Sequence, residues 1–147
     1  YAYETDGYGN YSLMDDANVP SLLAMTYLGY TTPDDPLYQN TRKFVLSSDN
    51  PYYYEGKYAR GIGSEHTQPG WVWHIGIIMQ ALTSTDEEEI KELVNMLENT
   101  DAGTGFMHEA FNPDNPAEYT RPWFAWANSL FGELIYTLVQ SGSAALK

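Results

Sequence analysis

The feature that most limits what this chain can become is an alternation in its apolar patterning. Trp71 to Leu82 is apolar on nearly every side of a helical wheel, broken only by His74 and Gln80, and a helix of that kind must be buried all round. A short turn follows. Ser84-Thr85-Asp86-Glu87-Glu88 then gives a capping box and an acidic first turn, and Ile90, Leu93, Val94 and Leu97 recur at helical spacing, so the next helix has one apolar and one solvated face. After a long stretch from about Asn99 to Thr120, with Gly103, Gly105, Pro113 and Pro116, Pro122 opens a helix from Trp123 to about Gln140 that is again apolar around most of its circumference.

Two earlier segments extend the pattern. Asn18 is placed to cap a helix that has Pro20 in its first turn and ends at Gly29, and a second, amphipathic helix spans about Asp35 to Ser47. Antiparallel helices joined by alternating short and long connections put the long ones on one face. The expectation is therefore an all-α chain of about five helices, alternating inner and outer, forming part of an (α/α)6 toroid. Such a ring closes with about twice as many helices, so residues 1–147 are expected to be the C-terminal portion of one barrel, with the N-terminal half lying upstream of Tyr1.

Composition narrows the partners. A net charge of -13 removes the clustered Lys and Arg that nucleic acid or an anionic membrane needs, and no apolar run reaches the ~20 residues that span a bilayer. With no cysteine there is neither a thiolate nucleophile nor a zinc-thiolate site, and no metal-ligand, phosphate-loop or serine-triad spacing occurs. No metal and no cofactor are expected. What remains is acid–base chemistry on a neutral substrate.

The three long segments, Tyr1 to Asn18, Asp49 to Gly70 and Asn99 to Arg121, are expected on one face, and they carry most of the isolated carboxylates and many rings. Glycoside hydrolysis needs that combination: an acid for the leaving oxygen, a base for water, and rings for the sugar faces. By polarity and placement, Asp15, Asp16, Asn18, His66, His108 and Arg121 are candidates for contacts to sugar hydroxyls. The Asp15-Asp16-Ala17-Asn18 run also suits a helix N-terminus. Trp71 and Trp123 suit stacking platforms or core, while His74, inside a buried helix, suits the core.

Four motifs carry a resemblance: Leu13-Met14-Asp15-Asp16-Ala17-Asn18-Val19-Pro20-Ser21, Asp49-Asn50-Pro51-Tyr52-Tyr53 with Gly56-Lys57-Tyr58-Ala59, Gly103-Thr104-Gly105-Phe106-Met107-His108-Glu109, and Thr120-Arg121-Pro122-Trp123-Phe124-Ala125-Trp126-Ala127-Asn128-Ser129. From about Tyr1 to Ile135 the chain resembles glycoside hydrolase family 125, the metal-independent exo-α-1,6-mannosidases. The resemblance implies an (α/α)6 barrel that removes terminal mannose from α-1,6-linked mannosides with inversion, with an N-glycan or mannan oligosaccharide as substrate. It also implies that Glu109 is the general base, and that the general acid is an aspartate N-terminal to every motif present. Glu133, within an apolar helix, is the second candidate for the base and suits a buried structural carboxylate. A glucoamylase-like glycosidase and an inactive mannose-binding or structural fragment are the competing expectations.

Overall fold

A computed structural model describes all of residues 1–147. Four α-helices are present: α1 (Pro36–Val45), α2 (His74–Leu82), α3 (Glu87–Asn99) and α4 (Ala125–Ser141). Seven short strands accompany them: β1 (Glu4–Thr5), β2 (Tyr11–Ser12), β3 (Tyr53–Glu55), β4 (Arg60–Ile62), β5 (Val72–Trp73), β6 (Ala110–Asn112) and β7 (Asn115–Tyr119). They form three antiparallel sheets, β1-β2, β3-β4 and β5-β6-β7. The all-α expectation is therefore wrong, and the chain is mixed α and β.

Six of the strands lie in the segments read as irregular loops, and β5 takes Val72 and Trp73 out of the start of the expected Trp71 to Leu82 helix. Each has two to five residues, too few for a period of two to stand out. Turn chemistry was the available signal. Gly56 to Ala59 joins β3 to β4, and at the β6–β7 turn the Asp114 N–H donates to Asn112 Oδ1 at 2.9 Å.

The first expected helix is also absent as an α-helix, leaving one 3₁₀ turn at Leu23–Met25. Side chains outside the turn take its backbone donors: the Leu22 and Leu23 N–H groups bond the Asp15 carboxylate at 2.9 and 2.8 Å, and the Ala24 N–H bonds Ser21 Oγ at 3.1 Å. Gly29, at φ +73, then turns the chain away.

The other helices form where expected, with ends shifted by one to three residues. Asp35 caps α1, accepting from the Leu37 N–H, and Asp86 caps α3, accepting from the Glu88 N–H at 2.9 Å. Glu89 does not complete a capping box. It turns to Arg42, Gln80 and Ser84, whose hydrogen bonds outweigh the effect of burial and hold its carboxyl below the usual range.

Helix α2 packs between α3 and α4, and every residue from His74 to Ala81 is buried. The apolar face of α3, Ile90, Leu93, Val94 and Leu97, meets it in the larger core cluster, as the spacing predicts. Helix α4 departs from expectation. Ala127, Leu130, Leu134 and Leu138 face the core, while Trp126, Tyr136 and Val139 face outward. Glu133 shares the outward side, so it is not a buried carboxylate, and it accepts from the Tyr27 hydroxyl at 3.0 Å. No helix is long and apolar enough to cross a membrane.

Candidate active site

Hydrogen bonds tie the three long segments together. The Ala17 N–H donates to Gly63 O at 3.0 Å and Ser64 Oγ donates to Asp16 Oδ2 at 2.7 Å, joining the first segment to the second. The second meets the third at the hairpin tips, where the Lys57 N–H donates to Asp114 Oδ1 and the Tyr58 N–H to Pro113 O. Ala17, Ile62, Trp73 and Ala110 then share one core cluster beneath them.

Glu109 stands at the entry to β6. Its backbone is set by pairing with the return strand: the Glu109 N–H donates to Thr120 O, and the Thr120 N–H donates to Ala110 O at 2.8 Å. Both carboxylate oxygens are engaged. Arg121 Nε lies 3.0 Å from Oε1, and Thr120 Oγ1 donates to Oε2 at 3.1 Å. The Glu109 side chain keeps 14% of its exposure, against 62% for Arg121, so it looks out from a wall while its partner stands in the open. Arg121 adopts φ +50, which non-glycine residues hold only when their surroundings impose it, and its guanidinium lies 5.5 Å from the Phe124 ring centre.

Behind Glu109 the two histidines have different settings. His74 is fully buried: its Nδ1 accepts from the His108 backbone N–H at 2.8 Å, and its Nε2 donates to Thr100 Oγ1 at 3.1 Å. Burial pushes it down to about 3, so it is neutral, with its proton on Nε2. His108 is also fully buried and lies flat on the Tyr119 ring, centres 3.8 Å apart at 7°. Its Nδ1 faces Pro122 O at 3.1 Å and Arg121 O at 3.3 Å, while its Nε2 faces Asp101 O at 3.1 Å.

A second polar group forms around Asp16, which accepts from the Asn18 N–H at 2.7 Å, Asn18 Nδ2 at 2.8 Å and Ser64 Oγ. Tyr3 and Tyr52 lie beside it. Burial first, then Asp16, Asp15, Glu4 and Glu65, raises the Tyr3 hydroxyl, and burial, then Glu65, Tyr54 and Asp16, raises Tyr52, so both are neutral donors. Asp15 is wholly buried, and despite its two backbone bonds that burial pushes it up to about 6.

The structure thus gathers Glu109 with Arg121, and Asp16 with Asn18. His66 is exposed and is anchored through its N–H to Ser64 Oγ. Trp71 is half-buried against the smaller core cluster, and Trp123 is 61% exposed. Sequence reasoning passed over Thr120, Ser64 and Tyr119. Recognising the Asn112-Pro113-Asp114-Asn115 turn as a hairpin would have placed Thr120 opposite Glu109 and Ala110. No three His, Asp or Glu side chains come together to hold a metal ion. A groove of about 300 Å³ between the β3–β4 tip and α3, lined by Tyr58, Arg60, Glu92 and Asn95, lies away from Glu109.

Chemically, a carboxylate fixed by one cation and one hydroxyl retains lone pairs for a water. It can orient that water and take its proton.

A family model described as metal-independent alpha-mannosidase (GH125) matches residues 1–136. The chain is 53% identical over 148 residues to the meiotically up-regulated gene 157 protein of Schizosaccharomyces pombe, covering 100% of this chain and 29% of that protein. It is 52% identical to a Streptococcus pneumoniae metal-independent α-mannosidase solved in a non-productive complex with α-1,6-mannobiose, at a TM-score of 0.93 over 95% of this chain and 33% of that one. The chain therefore spans about a third of the length of these relatives.

Proposed function

Because the chain belongs to the metal-independent α-mannosidases of glycoside hydrolase family 125, we propose that it is the C-terminal part of an enzyme that removes terminal mannose from α-1,6-linked mannosides by single displacement. Glu109 is the general base: it draws a proton from the water that attacks the anomeric carbon. The observation that carries this reading is the two-point fixing of its carboxylate by Arg121 and Thr120, with the side chain still 14% exposed. The α-1,6-mannobiose in the complex of the S. pneumoniae relative supports the substrate class.

Asp16, Asn18, Tyr3 and His66 supply polar contacts to mannose hydroxyls, and Trp123 offers a ring to a sugar face. Inversion needs a second carboxyl group roughly 6.5–9.5 Å from the base, so that water fits between. That acid is an aspartate contributed by the part of the parent enzyme outside these residues. The outward face of α4, with Trp126, Tyr136 and Val139, is where that part packs.

Glu109→Gln in the full-length parent should abolish hydrolysis of α-1,6-mannobiose, with a loss of kcat of at least about a thousandfold, while binding of the disaccharide survives. Near-normal turnover removes Glu109 as the base. A second reading, that these residues alone are a mannose-binding or structural piece without turnover, is favoured by the one-third coverage of the relatives. Mannosidase activity from residues 1–147 by themselves would refute it.

A further inference from the structure

His108 has more polar partners than a packing residue needs. One ring nitrogen points at the carbonyl oxygens of Arg121 and Pro122, the other at that of Asp101. Carbonyl oxygens only accept, so Nδ1, which faces two of them, is the donor, while Nε2 lies 3.1 Å from Asp101 O and 3.5 Å from the Thr104 hydroxyl oxygen. The ring thereby lies between two stretches of backbone on either side of the β6–β7 hairpin. One is the turn at Asp101, whose carboxylate holds the Gly103 and Gly105 N–H groups at 2.8 and 2.9 Å. The other is the Arg121–Pro122 corner.

The corner is where conformation matters. Arg121 is the residue at φ +50, and its guanidinium is the one on Glu109 Oε1. A residue at φ near −65 would send its side chain off that corner in another direction. Of the contacts described, those from His108 grip the corner's own carbonyl groups. The ring cannot slide, because it lies on Tyr119 and its backbone N–H is fixed on neutral His74.

We propose that His108 is a positioning residue for the base: by donating to the Arg121 and Pro122 carbonyl oxygens it holds Arg121 in its left-handed conformation and so keeps the guanidinium on Glu109. The inference rests on the reading of Glu109 as general base. It differs from a role in binding mannose, since His108 is fully buried and its ring nitrogens are occupied by backbone. It differs also from simple packing, which the flat face on Tyr119 alone would satisfy.

The test is a double-mutant cycle in the full-length parent enzyme with α-1,6-mannobiose. His108→Phe keeps a flat ring on Tyr119 but cannot donate. It should lower kcat at least about tenfold with KM within about twofold, Arg121→Gln should do the same, and the double variant should be no slower than Arg121→Gln alone. Losses that multiply in the double variant, or an unaffected kcat in His108→Phe, overturn the proposal. Should His108→Phe fail to fold, histidine-selective ¹⁵N labelling of the unaltered enzyme decides: a proton on His108 Nδ1 supports the clamp, and a bare Nδ1 refutes it. If instead Glu109→Gln turns over normally, the base assignment has failed, an outcome separate from an additive cycle with Glu109→Gln inactive.

Discussion

Helices α2 and α4 look alike as sequence and differ as structure. Both are apolar around most of the circumference, yet α2 is enclosed by α3, α4 and the Leu23–Met25 turn, whereas α4 buries one stripe and presents Trp126, Tyr136 and Val139 outward. The lesson is that an all-round apolar pattern states a requirement for cover without stating where the cover comes from. For α2 it comes from this chain. For α4 this chain supplies cover along one stripe only.

The sharpest way to break the contrast is to cut the core at α2. Ile78 is fully buried, and Ile78→Ala should cost about 2–5 kcal/mol by denaturant melts. A cost under about 1 kcal/mol there would mean that α2 is not sealed.

Titration offers a second probe, because α2 begins with a buried neutral histidine and Asp15 is buried as well. His74 is held down to about 3, so its contribution is present above its unfolded value near 6.5 and is lost as pH falls toward 3. Asp15 works in the opposite sense. Raised to about 6, it favours the folded state while protonated, and that advantage, on the order of 3 kcal/mol, is lost as pH rises from about 4 through 6. The two slopes oppose each other between pH 4 and 6. Asp15→Asn should therefore uncover the histidine slope, with stability rising as pH goes from 4 to 6.5; an unchanged profile would remove Asp15 from this role.

On α4 the same substitution should read differently in two contexts. If the rest of the parent packs on α4 as proposed, Tyr136→Ala should cost about 2 kcal/mol or more in the full-length parent and no more than about 0.5 kcal/mol in residues 1–147, where the ring is 65% exposed. Equal effects would refute that packing. The smallest effect belongs to the surface of α3. Arg60→Ala removes a two-point pair with Glu92 at 2.7 and 2.8 Å, but both partners are substantially exposed, so it should shift stability by at most about 1 kcal/mol, and less in high salt.

Much of this was legible in advance where the signal repeats. Ile90, Leu93, Val94 and Leu97 fall at i, i+3, i+4 and i+7, and the structure places all four in the core. The strands were illegible because pairing is a relation between distant residues. Val72 and Trp73 meet Phe111 and Ala110 across some forty positions, and neither pair shows any pattern alone. At the site, Glu109 was visible through its motif, but Thr120 was not, since what makes it matter is a hairpin that returns it to the carboxylate. Glu133 was misjudged for a related reason: a carboxylate in an apolar helix is buried only if that side of the helix is covered, and on α4 it is open.

Gly56 carries a further consequence. A Cβ there would sit 2.8 Å from the Pro113 carbonyl carbon and from the Asp114 carboxylate, so the tips of the β3–β4 and β6–β7 hairpins touch with no room for a side chain between them. They form a keyed joint. Inserting or enlarging a residue in one tip has to be answered by a change in the other, and because β6 carries Glu109 at its entry, drift in that turn would be felt as a tilt of the Glu109 carboxylate. The two turns should therefore vary together or not at all.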